Sequence, residues 1–192
     1  MFIEELKKYD GSLLHQRFAF KYFHKESNAI GDIIIFRGEM EVLADSMIDQ
    51  EDVMNEAFIW SEDAINILWE LPILGNNTFG AVAYQRLFNT EIANLLSRKE
   101  YLNQTVFMDG DDIMVHSNSD TANKLSVSIT HVKDHAALGH TGINIKAGPK
   151  APEIAFSSLL SDEQVKSFCE ETIDLFYTMN QDMFIATTKI LT

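Results

Sequence analysis

The chain has 192 residues, 46% of them hydrophobic and 23% charged, and 15 Lys and Arg against 29 Asp and Glu leave a formal charge of −14. That length and balance fit one globular domain with a substantial core, and the acidic surface excludes general binding to nucleic-acid backbones or anionic lipid, there being no basic cluster beyond Lys7 and Lys8. The lone cysteine, Cys169, excludes an internal disulfide and a cysteine-rich zinc site. No secretory leader or stretch of ~20 apolar residues is present, so a cytoplasmic, non-membrane protein is expected. Thirteen Phe and eight Met suit an aromatic, adaptable core or a deep pocket.

In chain order, Asp10-Gly11-Ser12 reads as a turn, followed by a helix from Leu13 to Phe23 with Leu14, Phe18 and Tyr22 four apart. Asp32 to Phe36 reads as a central strand, apolar on both faces, ending at Arg37-Gly38, and Met40 to Leu43 as a second short strand. Asp45 to Met54 is an acidic connector or short helix. Ser61-Glu62-Asp63 has the chemistry of a helix start, and a helix to about Leu71 is expected. A loop follows to Thr78, then an amphipathic helix from about Phe79 to Ser97 with Val82, Leu87, Ile92 and Leu95 near one face. Thr105 to Met108 and Asp112 to His116 flank Asp109-Gly110-Asp111, a hairpin signal.

A second pair of strands runs from Lys124 to Ile145. In the first, Leu125, Val127 and Ile129 alternate with Ser126, Ser128 and Thr130; the second carries His140, Gly142 and Asn144 among apolar residues. Ser161 with Gln164 forms a capping box opening a helical region to about Leu191, with a break expected near Asn180. Strands in runs, without strict alternation with helices, predict an α+β fold with a mainly antiparallel sheet flanked by helices.

Several residues invite chemistry. Lys124, at a strand start opposite a glycine-bearing strand, can place a fixed cation beside a closely approached backbone, or can be an exposed strand end. Arg37 before Gly38 suits a bidentate clamp on a carboxylate or phosphate, or an edge arginine paired with surface acids. Asp49, Glu51 and Asp52 read as carboxylate ligands for a divalent cation or as a solvated helix start; Asp109, Asp111 and Asp112 read as a hairpin turn. The six histidines form no H-E-x-x-H pattern, and serine-hydrolase, P-loop and Rossmann motifs are absent. Cys169, in a predicted helix, reads as a packing residue.

With these residues placed, the K-L-S-V-S-I strand and G-I-N-I strand resemble the lysine hairpin of the biotin and lipoate protein ligase superfamily. A whole-length resemblance is to the uncharacterised prokaryotic family domain of unknown function three-six-six. It is carried by Y-D-G-S at Tyr9–Ser12, F-R-G at Phe36–Gly38, M-x-D-x-E-D-V at Met47–Val53, S-E-D at Ser61–Asp63, Q-R-L at Gln85–Leu87 and the two strands. The resemblance implies a biotin/lipoate-ligase-like fold grouped with class II synthetase domains. It further implies a small-molecule ligase or acyltransferase acting on a carboxylate, either through an adenylate formed with ATP and Mg²⁺ or by direct transfer of the acyl group. Lys124 would be the catalytic electrostatic residue, and Arg37, Gly38, His140, Gly142 and Asn144 the substrate-binding ones. The glycine- and arginine-rich adenylate loop of biotin ligases is reduced here to F-R-G. The cysteine of the acyl-transfer branch would fall near Ser157-Ser158, where there is none. Two alternatives share the scaffold: a non-catalytic module binding a nucleotide or purine-like metabolite, and a structural homodimer docking through Phe168, Ile173, Phe176, Met179 and Met183.

Overall fold

Period-two burial organises the molecule. In the computed structural model, which describes residues 1–3, 8–55, 58–118 and 121–190, five strands form one sheet. They are β1 (Phe2–Ile3), β2 (Asp32–Val42), β3 (Ile59–Leu71), β7 (Ser126–Lys133) and β8 (Ala136–Lys146), in the order β1-β2-β3-β8-β7. Only β1 pairs in parallel; every other neighbour in this sheet is antiparallel. A second sheet orders β4 (Val106–Asp109), β5 (Asp112–Asn118) and β6 (Thr121–Lys124). The helices are α1 (Phe18–Phe23), α2 (Gln50–Met54), α3 (Thr78–Leu96) and α4 (Asp162–Thr187). Lys7, Leu191 and the Glu51 side chain lie outside the described residues.

The largest departure from expectation is Ser61 to Leu71, which is the middle of β3 and not a helix. Its run Ile65-Asn66-Ile67-Leu68-Trp69 is buried on both faces, and between β2 and β8 every backbone group finds a ladder partner. Buried β-branched and aromatic residues outweigh a good capping sequence. Asp32 to Val42 is one strand through an irregularity between Gly38 and Met40, not two. The first helix is confined to Phe18–Phe23, behind Arg17 at φ 60°. α4 runs through Asn180 without a break, because Asn180 Nδ2 donates to the Tyr84 hydroxyl at 3.0 Å and to the Phe176 carbonyl. The Ser161–Gln164 capping box forms as expected.

The odd-numbered side chains of β3 and β8 (Ile65, Ile67, Trp69, Ile143) meet Phe88 of α3 and Phe168, Cys169 and Phe176 of α4. Even-numbered Ala64, Leu68 and Leu138 face a smaller cluster with Tyr9, Leu14, Phe18 and Met40. Gly139 admits the Trp69 indole: a Cβ there would lie 2.1 Å from the ring. α3 buries a polar stripe, and Val82 and Leu87 point outward. Gln85 and Asn89 both donate to the Ser128 hydroxyl, Asn89 donates to the Asp111 carbonyl, and Thr141 donates to Asn89. Of the five apolar residues expected to dock a second subunit, Phe168 and Phe176 are fully buried, and Ile173 and Met179 pack against the same core; Met183 is exposed.

Candidate active-site cleft

The face of the large sheet opposite α3 and α4 carries a cleft of about 670 Å³. Its walls come from the segment after Tyr9, from β2, from the turn and α2 following β2, from the Asp111–Asp112 turn and from β7. Apolar Leu14, Met40, Val127 and Ile129 line it beside Lys124, Lys133, His15, His131 and His140. Asp49, Asp52, Asp111 and Asp112 also border it.

Lys124 is placed by the crossing between the two sheets. It ends β6 and does not open β7: its N–H donates to the Ile154 carbonyl and its carbonyl accepts from Phe156. Leu125 then donates to Ile113 and accepts from Asn144, so one residue is tied to both sheets and its side chain turns into the helix-side core. The side-chain alternation therefore restarts at Ser126, with Val127 and Ile129 on the cleft face and Ser126 and Ser128 on the α3 face. Lys124 Nζ lies 2.8 Å from Asp112 Oδ2, diagonally across the β5–β6 ladder. Burial pushes the Asp112 carboxyl up, against the opposing pull of Lys124.

His140 forms part of the cleft floor and is 2% exposed. Its ring stacks on Tyr9 at 3.6 Å between centroids. Its Nε2 is 3.0 Å from Asn66 Oδ1, and Asn66 Nδ2 faces the carbonyls of Gly38 and Ala64. Because the Asn66 oxygen can only accept, His140 carries its proton on Nε2. Desolvation lowers its pKa to about 3, so it is neutral at physiological pH. Tyr9 reaches this position by pairing with β2 beside the strand irregularity: its N–H donates to Glu39 and its carbonyl accepts from Glu41.

The other four expected site residues do not line the cleft. Arg37 shares the parity of Ile33 and Ile35, which places it on the helix face. There it donates Nε and Nη2 to Asp63 and Nη1 to Asp162, the first residue of α4, and Asp63 pushes its pKa up. Gly38 marks the irregularity in β2. Gly142 makes room for Met40, whose sulfur would lie 2.6 Å from an added Cβ. Asn144 is buried; its backbone donates to Leu125 and accepts from Ser158. Together Gly38, Gly142 and Asn144 shape the strands under the cleft. Cys169 is buried in α4, where desolvation raises its thiol pKa, as suits a packing residue.

Sequence reasoning did not single out Tyr9, His15 or His131 as cleft residues. His131 had a signal: it continues the Val127, Ile129 alternation. Tyr9 opens the Y-D-G-S motif, but nothing local placed it at a cleft, and His15 had no signal; long-range pairing brings both in. Among the described residues no three His, Cys, Asp or Glu converge to hold a metal ion, and no helix is long and apolar enough to cross a membrane.

The architecture is that of lipoate and biotin protein ligases. Similar folds occur in a bi-partite lipoate protein ligase of Thermoplasma acidophilum (TM-score 0.52, 11% identity, 92% of this chain and 85% of that one). Another is the biotin protein ligase of Aquifex aeolicus in complex with biotin and ATP (TM-score 0.53, 12% identity, 91% and 69%). A protein of unknown function from Pyrococcus horikoshi superposes at a TM-score of 0.86 over 100% of this chain and 97% of its own, with 23% identity. In sequence, an uncharacterized protein of Methanocaldococcus jannaschii is 29% identical over 154 residues, 77% of this chain; the matched region spans only 63% of that relative's length. The pattern that defines the Domain of unknown function (DUF366) family matches residues 1–191, and the chain belongs to that family.

Proposed function

We propose that the cleft binds a small-molecule carboxylate and that the protein is a ligase or acyltransferase-like enzyme activating it, with ATP and Mg²⁺. The observation that carries this reading is Lys124 Nζ, held at the cleft wall by the junction of two sheets and by Asp112. The apolar residues Val127, Ile129 and Leu14 of the same cleft suit an acyl chain. A carboxylate arriving at Lys124 would compete with Asp112, whose burial already favours the protonated, uncharged form. In the activating step a substrate carboxylate oxygen attacks the α-phosphorus of ATP, the bond to the β-phosphate oxygen breaks, and pyrophosphate leaves. Lys124 would offset the negative charge that accumulates on the oxygens around phosphorus.

Four aspartates border the cleft against Lys124 and Lys133. A bare triphosphate would be repelled, and Mg²⁺ carried on the phosphates removes that repulsion. The role proposed for His140 is positional: its neutral ring, stacked on Tyr9, holds the cleft floor. Arg37 has no proposed part in substrate binding, since its donors are engaged on the helix face. Arg37→Ala is the control for Lys124.

The test is native mass spectrometry with Mg-ATP and a panel of small carboxylates, paired with pyrophosphate release. A carboxylate adenylate that forms in the native protein and in Arg37→Ala, but not in Lys124→Ala, is expected. Carboxylate affinity should fall about 10- to 100-fold in Lys124→Ala, the loss of one charge-assisted contact. A carboxylate retained without pyrophosphate release would replace the enzyme with a binding module. An unliganded mass throughout would remove both.

A further inference from the structure

The cleft-facing row of β7 is Val127, Ile129, His131 and Lys133. With Lys124 before it, this wall is cationic at the sheet junction, apolar in the middle and basic again at the β7–β8 hairpin. His15 joins His131 and Lys133 there from the N-terminal segment, which is tied to the hairpin by Gln16 Nε2 donating to the Asp134 carbonyl at 2.7 Å. His131 Nε2 is buried and has no hydrogen-bond partner among the described residues. Of the buried side-chain atoms in that condition, it alone belongs to a residue of the cleft wall. Buried polar atoms are satisfied in the great majority of cases, so this one, on a residue of the cleft wall, calls for a partner that a water or a ligand atom can supply. Desolvation, then Lys133 and His15, lower the His131 pKa, which leaves a neutral ring that can donate from Nε2.

We propose that the hairpin end of the cleft is a second anion site, so that the substrate is an extended acyl chain with a carboxylate at each end. This rests on the reading of the cleft as a carboxylate site and names its substrate class. Lys124 meets the carboxylate to be activated; His131, Lys133 and His15 meet the distal one. Val127 and Ile129 contact the chain between them. Val127 to His131 spans roughly 13 Å at the rise of a β-strand, a stretch that a short fatty chain fills and a compact carboxylate does not.

Calorimetric titration of the full chain compares three ligands of equal length: a straight-chain α,ω-dicarboxylate with its carboxylates roughly 10–15 Å apart, the monocarboxylate, and the dicarboxylate's mono-amide. The dicarboxylate should bind roughly tenfold or more tighter than either of the others. Exposed Lys133→Met should shrink that ratio, and His131→Phe, which keeps the ring volume, should shrink it further, in each case by losing more affinity for the dicarboxylate than for the monocarboxylate. Equal affinities in the native protein would overturn the second anion site and leave the carboxylate reading standing. A preference that persists in both variants would overturn its assignment to this end. Failure of all three ligands to bind would overturn both readings.

Discussion

The two faces of the five-stranded sheet are built from the same strands and differ in almost everything else. The helix face is closed: Trp69, Phe88, Phe168 and Phe176 are buried, with Phe88 and Phe176 edge-to-face at 5.7 Å. The cleft face spends buried positions on a stacked Tyr9–His140 pair and on Asn66, and leaves a cavity of about 670 Å³. One face has been packed for stability and the other has kept room and polar groups, a division that alternation within a strand makes available at no change in backbone. Substitutions on the first should therefore move stability and spare binding, and substitutions on the second should do the reverse.

The largest expected effect is on the helix face. Phe88→Ala removes a ring at the centre of the aromatic cluster and should lower stability by about 3–5 kcal/mol, read as a shifted urea midpoint at unchanged slope. Ile129→Ala, on the cleft wall and partly exposed, should lower it by about 1 kcal/mol while weakening carboxylate binding. If Ile129→Ala were the more damaging to stability, the division between faces would be wrong.

The next effect is a pH dependence to which the cleft face contributes through His140. The folded-state pKa of His140, about 3, lies below its ordinary value of 6.5. The unfolded chain therefore takes up a proton that the folded chain refuses. Stability from this residue is complete above pH 6.5 and is lost as pH falls from 6.5 toward 3, at up to about 1.4 kcal/mol per pH unit. His15 and His131 are lowered too and act in the same direction, so the diagnostic quantity is a difference. Urea titrations at pH 7 and pH 5 should give a smaller loss for His140→Gln than for the native protein. Equal losses would mean that His140 is not the residue that resists protonation.

Arg37→Ala comes third. Removing the fork that joins β2, β3 and α4 should lower stability by about 1–2 kcal/mol, discounted because Asp63 and Arg37 are both partly solvated. Carboxylate affinity should not change. Lys124→Met should do the opposite, altering stability by less than about 1 kcal/mol while weakening carboxylate binding about 10- to 100-fold.

How much of this was legible in the sequence can be judged from particular residues. Ser161 and Gln164 announce α4 because capping is local chemistry, and Asp109-Gly110-Asp111 announces its hairpin for the same reason. Ser61-Glu62-Asp63 carries equally good local chemistry and misleads, because burial between two neighbouring strands decides that segment. The buried face of α3 was legible in part: Ile92 and Leu95 are buried as expected, whereas Gln85 and Asn89 are core residues only by virtue of Ser128 and Thr141, distant in sequence. Arg37 and Lys124 show the same limit at the site. Both looked like anion-binding cations, and parity within a strand could be counted, but nothing local says which parity faces the cleft. That depends on which side of the sheet α4 covers.

The smallest prediction tests that last dependence. Ser161 accepts from the Gln164 N–H, and Gln164 reaches back to the Ser161 N–H, while Gln164 Nε2 also donates to the Glu100 carbonyl. Ser161→Ala removes one half of the box and should lower stability by about 1 kcal/mol. Asp162→Asn, at a carboxylate 91% exposed, should lower it by less, even though that group contacts Arg37. Both lie at the start of the helix that closes the helix face, so both should leave carboxylate affinity unchanged in calorimetric titration. A change in affinity from either would mean that seating of α4 reaches through the sheet to the cleft, and the two faces would then have to be treated as one coupled unit.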